Sequence, residues 1–444
     1  MDLGRRRVTD TARVILWGRD IGAITWVDGR AVGVFQYTPE FAESQIQVAP
    51  LMMPLRPAPY EFPTLSNDTF KGLPGLLADS LPDKFGNALI NAWLASQNRT
   101  PASFTPVERL CYIGTRGIGA LEFQPSTAGD TRKARRVEID ALVDLANRVL
   151  DERVAVAGKL TGEEDHDAIQ DILRVGTSAG GARAKAVLAW NAATGEFRSG
   201  QAPAEKGFTH WLMKFDGVDN NRDKELADPQ GYGRIEYAYY FMATDAGIDM
   251  QECRLHEENG RAHFLTKRFD RLDDGNKLHM QSLAALMHFD FNLAGACSYE
   301  QAIQVIRQLE LPMADIEQQF VRAAFNVITR NQDDHVKNIA FLMNRRGQWR
   351  LSPAFDVVYA FNPDGAWTAQ HQMSLNGKRD SFSHEDLLSF ARSSGIKKRR
   401  AQQLLDKIAA SVIDWPGHAR RAGVPDGDQQ RIATAMRQDL VTGT

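Results

Sequence analysis

Between an apolar helical run ending at Thr329 and an apolar strand-like run opening at Ile339, the chain reads Asn331-Gln-Asp333-Asp334-His335-Val-Lys337-Asn338. No other stretch constrains the fold as much. An aspartate stands five residues before an asparagine, on a loop tied at both ends to apolar elements. One short, rigid turn can then present both groups to the same small volume. The carboxylate can accept a proton, and the carboxamide oxygen can help to hold a hard cation. Asp and Asn are common in loops, so the spacing takes its force from what surrounds it.

The 444 residues are enough for two or three domains with real cores. At 43% apolar and 25% charged, the composition is that of a soluble globular protein. A net charge of −3 gives no whole-chain attraction to nucleic acid. Cys111, Cys253 and Cys297 are odd in number, far apart and free of any CxxC pair. They read as reduced thiols of a cytoplasmic protein, neither a disulfide framework nor a zinc site. The start, Met-Asp-Leu-Gly-Arg-Arg-Arg, has no apolar core, and no apolar run approaches the ~18 residues of a membrane span. Secretion and a membrane partner are not expected. No fixed-period repeat is present.

The pattern predicts an α+β chain in three parts. Residues 1–125 form a small α+β domain. Its apolar runs Ala12–Trp17, Ile21–Val27 and Ala31–Tyr37 read as strands, with a hairpin turn at Asp28-Gly29, and a helical run follows Asp83. A polar linker separates this domain from residues 137–298. There a helix (Ile139–Leu150), a glycine-rich stretch (Gly176–Lys185), strands at Ala186–Trp190 and Thr209–Phe215, a helix (Ile235–Asp245) and a strand pair ending at Asp270 follow one another. Residues 299–444 are mostly helical, with a hairpin over Arg346-Gly347 and four closing helices. A strand-rich lobe before a helix-rich lobe, with the loop in the second, is the order of a bilobal protein kinase.

The loop spacing resembles the kinase pattern H-R-D-x-x-x-x-N, in which the Asp takes the proton of the attacking hydroxyl and the Asn holds magnesium. Phosphoryl transfer needs charge neutralisation and positioning more than covalent help, and the remaining parts lie in kinase order. The glycines of 176–185 let backbone N–H groups approach phosphate oxygens, although the Gly-Lys-Ser/Thr of a Walker loop is missing. Lys214 ends an apolar strand, and Glu236 on the next helix can pair with it. Asp356, in Ser352-Pro-Ala-Phe355-Asp356, lies one hairpin beyond Asn338 and is expected to be the main magnesium ligand. Here Phe355 precedes the Asp and no Gly follows, unlike the usual Asp-Phe-Gly. Lys337 is expected near the transferred phosphate. His335 braces the loop, with no partner at zinc spacing.

Taken together, Ser178-Ala-Gly-Gly-Ala-Arg-Ala-Lys185, Lys267-Arg-Phe-Asp-Arg271, the Asn331–Asn338 loop and Ser352–Asp356 resemble the HipA family of bacterial serine/threonine kinases. Members are toxins of HipBA-type toxin–antitoxin modules. Leu73–Asp83 and Tyr112–Leu121 resemble that family's first domain, so the likeness covers nearly the whole chain. The resemblance implies ATP and Mg²⁺ as cofactors. It places Gly180, Gly181, Ala182, Arg183, Ala184, Lys185 and Lys214 on the phosphates. Lys267, Arg268 and Phe269 form the hinge beside the adenine, with Phe355 among the ATP-binding residues. Asp333 is the base, His335, Lys337 and Asn338 frame nucleotide and metal, and Asp356 binds Mg²⁺. Ser178 falls on a serine that such kinases autophosphorylate. The family implies a small helix-turn-helix antitoxin (HipB-like) as partner, DNA contacted only through it, and an aminoacyl-tRNA synthetase as protein substrate.

Two other readings stay open. One is a catalytically idle HipA-like protein that works by gripping an antitoxin–operator complex; the other is a small-molecule kinase. The run Lys397–Arg400 reads as a solvated helix face. Tyr237, Tyr239, Tyr240 and Phe241 read as core between the lobes.

Overall fold

A computed structural model of the chain describes residues 9–127, 136–151, 176, 183–200, 205–218 and 230–442. The N-terminal sheet has the order β3-β2-β1-β4, with β1 (Thr11–Leu16), β2 (Arg19–Val27), β3 (Val32–Tyr37) and β4 (Leu121–Gln124), all antiparallel. Trp17 and Gly18 join β1 to β2 with φ of 51° and 79°. Two positive values are what a two-residue turn matching the strand twist requires. The β2–β3 hairpin turns instead through one 3-10 turn, Asp28–Arg30. One-turn helices α1 (Pro39–Ala42), α2 (Asn67–Phe70) and α3 (Gly75–Ala78) precede α4 (Lys84–Ser96) and α5 (Pro106–Ile113). Alternate residues Ala12, Val14 and Leu16 point inward and bury against Phe35, Val107 and Leu110.

After α6 (Ile139–Asp151) comes a five-stranded antiparallel sheet, order β6-β5-β7-β9-β8: β5 (Lys185–Trp190), β6 (Phe197–Ser199), β7 (Thr209–Lys214), β8 (Cys253–Glu258) and β9 (Arg261–Lys267). Ala186, Leu188, Trp211, Met213 and Leu265 bury against Phe85 and Leu89 of α4 and Leu142 and Val143 of α6. A helix of the first domain therefore covers part of the second domain's sheet. α7 (Tyr232–Asp245) packs against β8 and β9 and reaches into the helical lobe.

That lobe holds α8 (Leu283–Met287), α9 (Tyr299–Gln308), α10 (Met313–Thr329), α11 (His384–Ser393), α12 (Lys398–Ile413), α13 (Trp415–Ala422), α14 (Asp426–Ala435) and α15 (Asp439–Thr442). Five closing helices follow residue 380 where the sequence suggested four; the extra one is the single turn α15. Ile316, Phe320, Ala323, Ala324, Val327 and Ile328 give α10 a buried stripe at helical spacing. It packs with Tyr239, Phe325, Phe390 and Trp415. Tyr239 and Phe241 are buried, and Tyr237 and Tyr240 pack half-buried at the edge of this core. A third sheet has the order β10-β11-β12, with β10 (His279–Ser282), β11 (Ala340–Met343) and β12 (Trp349–Leu351). β10 lies before residue 298, yet it pairs with β11 of the following segment.

Candidate active site

The floor of the cleft is set where α10 stops. Arg330 takes a left-handed conformation (φ 60°), and both its N–H and that of Asn331 bond back to the Asn326 carbonyl. The Gln332 N–H bonds to the Ala360 carbonyl at 3.1 Å, and a 3-10 turn (Val336–Asn338) leads into β11. Asp334 is buried and anchors the loop. It accepts hydrogen bonds from the Tyr299 hydroxyl (2.6 Å), His371 Nδ1 (2.7 Å) and the Gln372 N–H (2.7 Å). Arg437 approaches His371 Nε2 at 3.0 Å, which leaves that nitrogen as acceptor and the proton on Nδ1. Burial pushes the Asp334 carboxyl up, but His371, Tyr299 and Gln372 outweigh it and hold it below the usual carboxylate range.

Its neighbour Asp333 is not buried in this way; its side chain is 28% exposed. Oδ1 accepts from the Trp367 indole N–H at 2.7 Å, and no described residue hydrogen-bonds Oδ2. Asn338 Nδ2 donates to the Asp333 carbonyl at 3.0 Å, which turns its amide oxygen away from the loop backbone. His335 Nε2 lies 3.9 Å from Asp333 Oδ1, and its ring packs against Phe291. Lys337 Nζ lies over the same ring, 5.1 Å from its centre. His335, Asn338, Phe355 and Asp356 line one narrow cavity of about 30 Å³ beneath the loop.

The roof is a set of charges. Lys214 ends β7 with its Nζ 2.5 Å from Glu236 Oε1 and 2.6 Å from Asp356 Oδ1. Asp356 has φ 53°, a region L residues other than Asn and Asp seldom enter. Burial raises the Asp356 carboxyl, but Lys214 and Lys185 outweigh it and hold it well below the usual range. For Lys214, burial alone would lower the amine; Asp356 and Glu236 reverse this and keep it protonated. Arg183 Nη1 lies 3.8 Å from Glu236 Oε2. Lys185 pairs across the sheet with Lys214 and is fully buried, which lowers its pKa. Ala184 is buried and its carbonyl accepts the Phe215 N–H. Gly180, Gly181, Ala182 and Ser178 lie outside the described residues.

At the hinge, the Phe269 and Phe355 rings are 5.7 Å apart. The Arg268 guanidinium makes a two-pronged contact with Asp270 at 2.9 and 2.6 Å, and Lys267 Nζ lies 2.9 Å from Asp273. The described residues thus bring Lys185, Lys214, Asp333, His335, Asn338, Phe355 and Asp356 to one cleft, while the heads of Lys267 and Arg268 are taken up by hinge carboxylates. Asp356 and Asn338 offer one carboxylate and one amide oxygen, a donor set that suits magnesium completed by phosphate oxygens and water. Among the described residues no cluster of three His, Cys, Asp or Glu side chains forms a metal site. The thiols are buried, with Cys253 pushed up to about 12 and Cys111 and Cys297 to about 11 by burial. A wider hollow of about 590 Å³ lies on the outer side of α7, lined by Tyr237, Tyr240, Arg254 and Arg421. Its two carboxylates are paired with arginines, Glu252 with Arg254 and Glu257 with Arg234.

Trp367, Asp334 and Asp83 escaped the sequence reading. The Asp333-Asp334 doublet carried a signal, but spacing cannot say which carboxylate turns inward. Trp367 and Asp83 meet the site only through tertiary packing.

Comparison with known proteins matches two domain models to the chain. The model of the HipA N-terminal domain matches residues 12–124, and that of the HipA-like C-terminal domain matches residues 177–415. Two Sinorhizobium fredii proteins, "Putative kinase Y4mE" and "Putative kinase Y4dM", are each 24% identical, over 38% and 44% of this chain. The chain spans 44% and 49% of their lengths, about half of each relative. A solved Shewanella oneidensis structure, of HipA with HipB and its operator DNA, superposes with a TM-score of 0.66 at 16% identity. It covers 97% of this chain and 96% of that one, a likeness of fold. No described helix is long and apolar enough to cross a membrane. With one domain model matched at each end of the chain and the second spanning over half of it, the chain belongs to the HipA family.

Proposed function

We propose that the protein is an ATP- and Mg²⁺-dependent serine/threonine protein kinase that acts as the toxin of a toxin–antitoxin module. One observation carries the reading: Lys214 bonds both Glu236 and Asp356, above a loop that presents Asp333 and Asn338 to the same cleft. Lys214 and Lys185 meet the phosphates, and Phe269 and Phe355 flank the base. Asp356 and Asn338 would hold magnesium, which when bound neutralises phosphate charge. Asp333 Oδ2 takes the proton of the attacking serine or threonine hydroxyl, with Oδ1 fixed by Trp367. Lys337 sits on the same loop to meet the transferred group. Family membership and the antitoxin and operator DNA of the Shewanella complex support a small HipB-like partner, with DNA reached through it. An aminoacyl-tRNA synthetase is the substrate class we propose, and Ser178 the site of self-phosphorylation.

A second reading draws on two contacts: Trp367 occupies one oxygen of Asp333, and Lys214 occupies one of Asp356. Both would suit an idle protein that serves only as a binder. Incubation with γ-labelled ATP, magnesium and a bacterial lysate decides between them. Label on a synthetase and on Ser178, lost in Asp333→Asn, is the expected result. No transfer to any protein by wild type, with ATP still bound, would leave the binder.

A further inference from the structure

Asp83 closes the first domain's Leu73–Asp83 stretch and caps α4. Its Oδ1 accepts the Gly86 N–H at 3.1 Å, the hydrogen bond expected of an N-cap. That accounts for one oxygen. The other, Oδ2, is buried without a hydrogen-bond partner among the described residues and lies 3.8 Å from Lys185 Nζ. Both side chains are more than nine-tenths buried, at 8% and 2% exposed. A helix cap needs no such burial, because an exposed Ser, Asn or Asp caps equally well.

The charges around the pair come from four directions. Lys185 on β5 and Lys337 on the catalytic loop act on Asp83; Asp83, Asp356, Lys214 and Arg183 act on Lys185. Asp83 thus feels both the lysine of the glycine-rich side and the lysine of the loop. Burial raises its carboxyl to about 6, with Lys185 and Lys337 pulling the other way. The same domain grips the hinge. The Gly119 N–H donates to Asp270 Oδ2 at 2.7 Å, and Arg271 donates to the Gly119 and Gly117 carbonyls at 2.8 Å each. Gly119 has φ 75°, and a Cβ there would sit 2.9 Å from the Met280 nitrogen, so only glycine allows this approach.

We infer that Asp83 is a positioning residue of the nucleotide site: its carboxylate keeps Lys185 charged and aimed at the phosphates, so the N-terminal domain is a working part of ATP binding. The inference rests on the kinase reading above. A buried lysine with one carboxylate removed gives up its proton or turns to the next acid, Asp356. Either change costs the charge-assisted contact to phosphate.

The test uses the full chain and separates the charge from the cap. Asn caps a helix as well as Asp but carries no charge, whereas Glu keeps the charge and caps poorly. ATP affinity by calorimetry, the maximal rate of label transfer at saturating ATP, and the melting temperature are measured for wild type, Asp83→Asn and Asp83→Glu. Asp83→Asn should melt close to wild type, bind ATP about ten- to hundred-fold more weakly, and keep its saturated rate within a few fold. Asp83→Glu should recover affinity despite a lower melting temperature. The reverse order, with Asn binding ATP like wild type and Glu impaired, would reduce Asp83 to a cap and overturn the inference. If Glu does not fold, Asn alone decides. Failure of wild type to bind ATP would instead overturn the kinase reading itself, a result that no Asp83 variant can mimic.

Discussion

The floor and the roof of the cleft are built on different physics. The floor, from α10 through the Asp333–Asn338 loop, is fixed by hydrogen bonds that leave little to rearrange: Asp334 alone receives three donors from α9 and the 371–372 segment. The roof is held by charge. Lys185, Lys214 and Arg183 meet Asp83, Glu236 and Asp356 at separations from 2.5 to 3.8 Å, two of the four too long for hydrogen bonds. A hydrogen-bonded floor has one geometry, whereas a charge cluster can redistribute when another polyanion arrives. On the proposed kinase reading, the base would be set before substrate binds and the phosphate-binding side set by binding.

Four substitutions break or sharpen that contrast. The largest effect is expected on the floor. Asp333→Asn should bind Mg-ATP nearly as wild type and lose phosphate transfer by about 10²–10⁴-fold, the contribution of a positioned base. Wild-type turnover in this variant would remove Asp333 from the chemistry. Next comes Asp334→Ala, which leaves the Tyr299, His371 and Gln372 donors unpaired in the interior. About 3–5 kcal/mol of stability should be lost, visible as a lower denaturant midpoint. A loss below about 1 kcal/mol would mean the floor is not held as described.

On the roof, Lys214→Met should weaken ATP binding and also change how stability depends on acid. Asp356 is depressed in the folded protein, so its contribution is fully present above the unfolded value of about 4 and is lost as pH falls below it. Without Lys214 the depression shrinks. The fall in stability below about pH 4 should then be shallower than in wild type, as urea titrations at several pH values would reveal. An unchanged acid limb would show that Lys214 does not govern Asp356. The smallest effect is expected for Trp367→Phe. It removes one donor from Asp333 and should slow transfer about fivefold, in line with roughly 1 kcal/mol for a single hydrogen bond. An increase in rate would recast the indole as a brake.

Much of the site could be read from the sequence because its parts sit at fixed local spacing. Asp333 and Asn338 share one loop, Asp356 lies one hairpin on, and Lys214 and Glu236 end a strand and begin a helix. The strands Ala12–Trp17 and Thr209–Phe215 were visible because their apolar residues run to a buried face. What escaped depends on meetings that no spacing encodes. Asp83 looks like a helix start, which it is, and only the packing of α4 on the five-stranded sheet brings its second oxygen to Lys185. Trp367 lies in an irregular stretch whose path is fixed by contacts such as Gln372 with Asp334. The Arg268 guanidinium is held by Asp270, two residues on, and no spacing shows that Asp270 is in turn bonded to Gly119 of the other domain.

The left-handed backbone at Asp356 bears on how such a protein changes over generations. Few residues accept that conformation without strain, and asparagine is one of them. An aspartate codon becomes an asparagine codon by a single base change. That step would leave the backbone of the cleft intact while removing the charge that Lys214 contacts and that the proposed magnesium ion would share. The cheapest inheritable route away from chemistry at this site therefore runs through a protein that still folds. A lineage could lose the reaction in one mutation and keep every surface by which it is recognised.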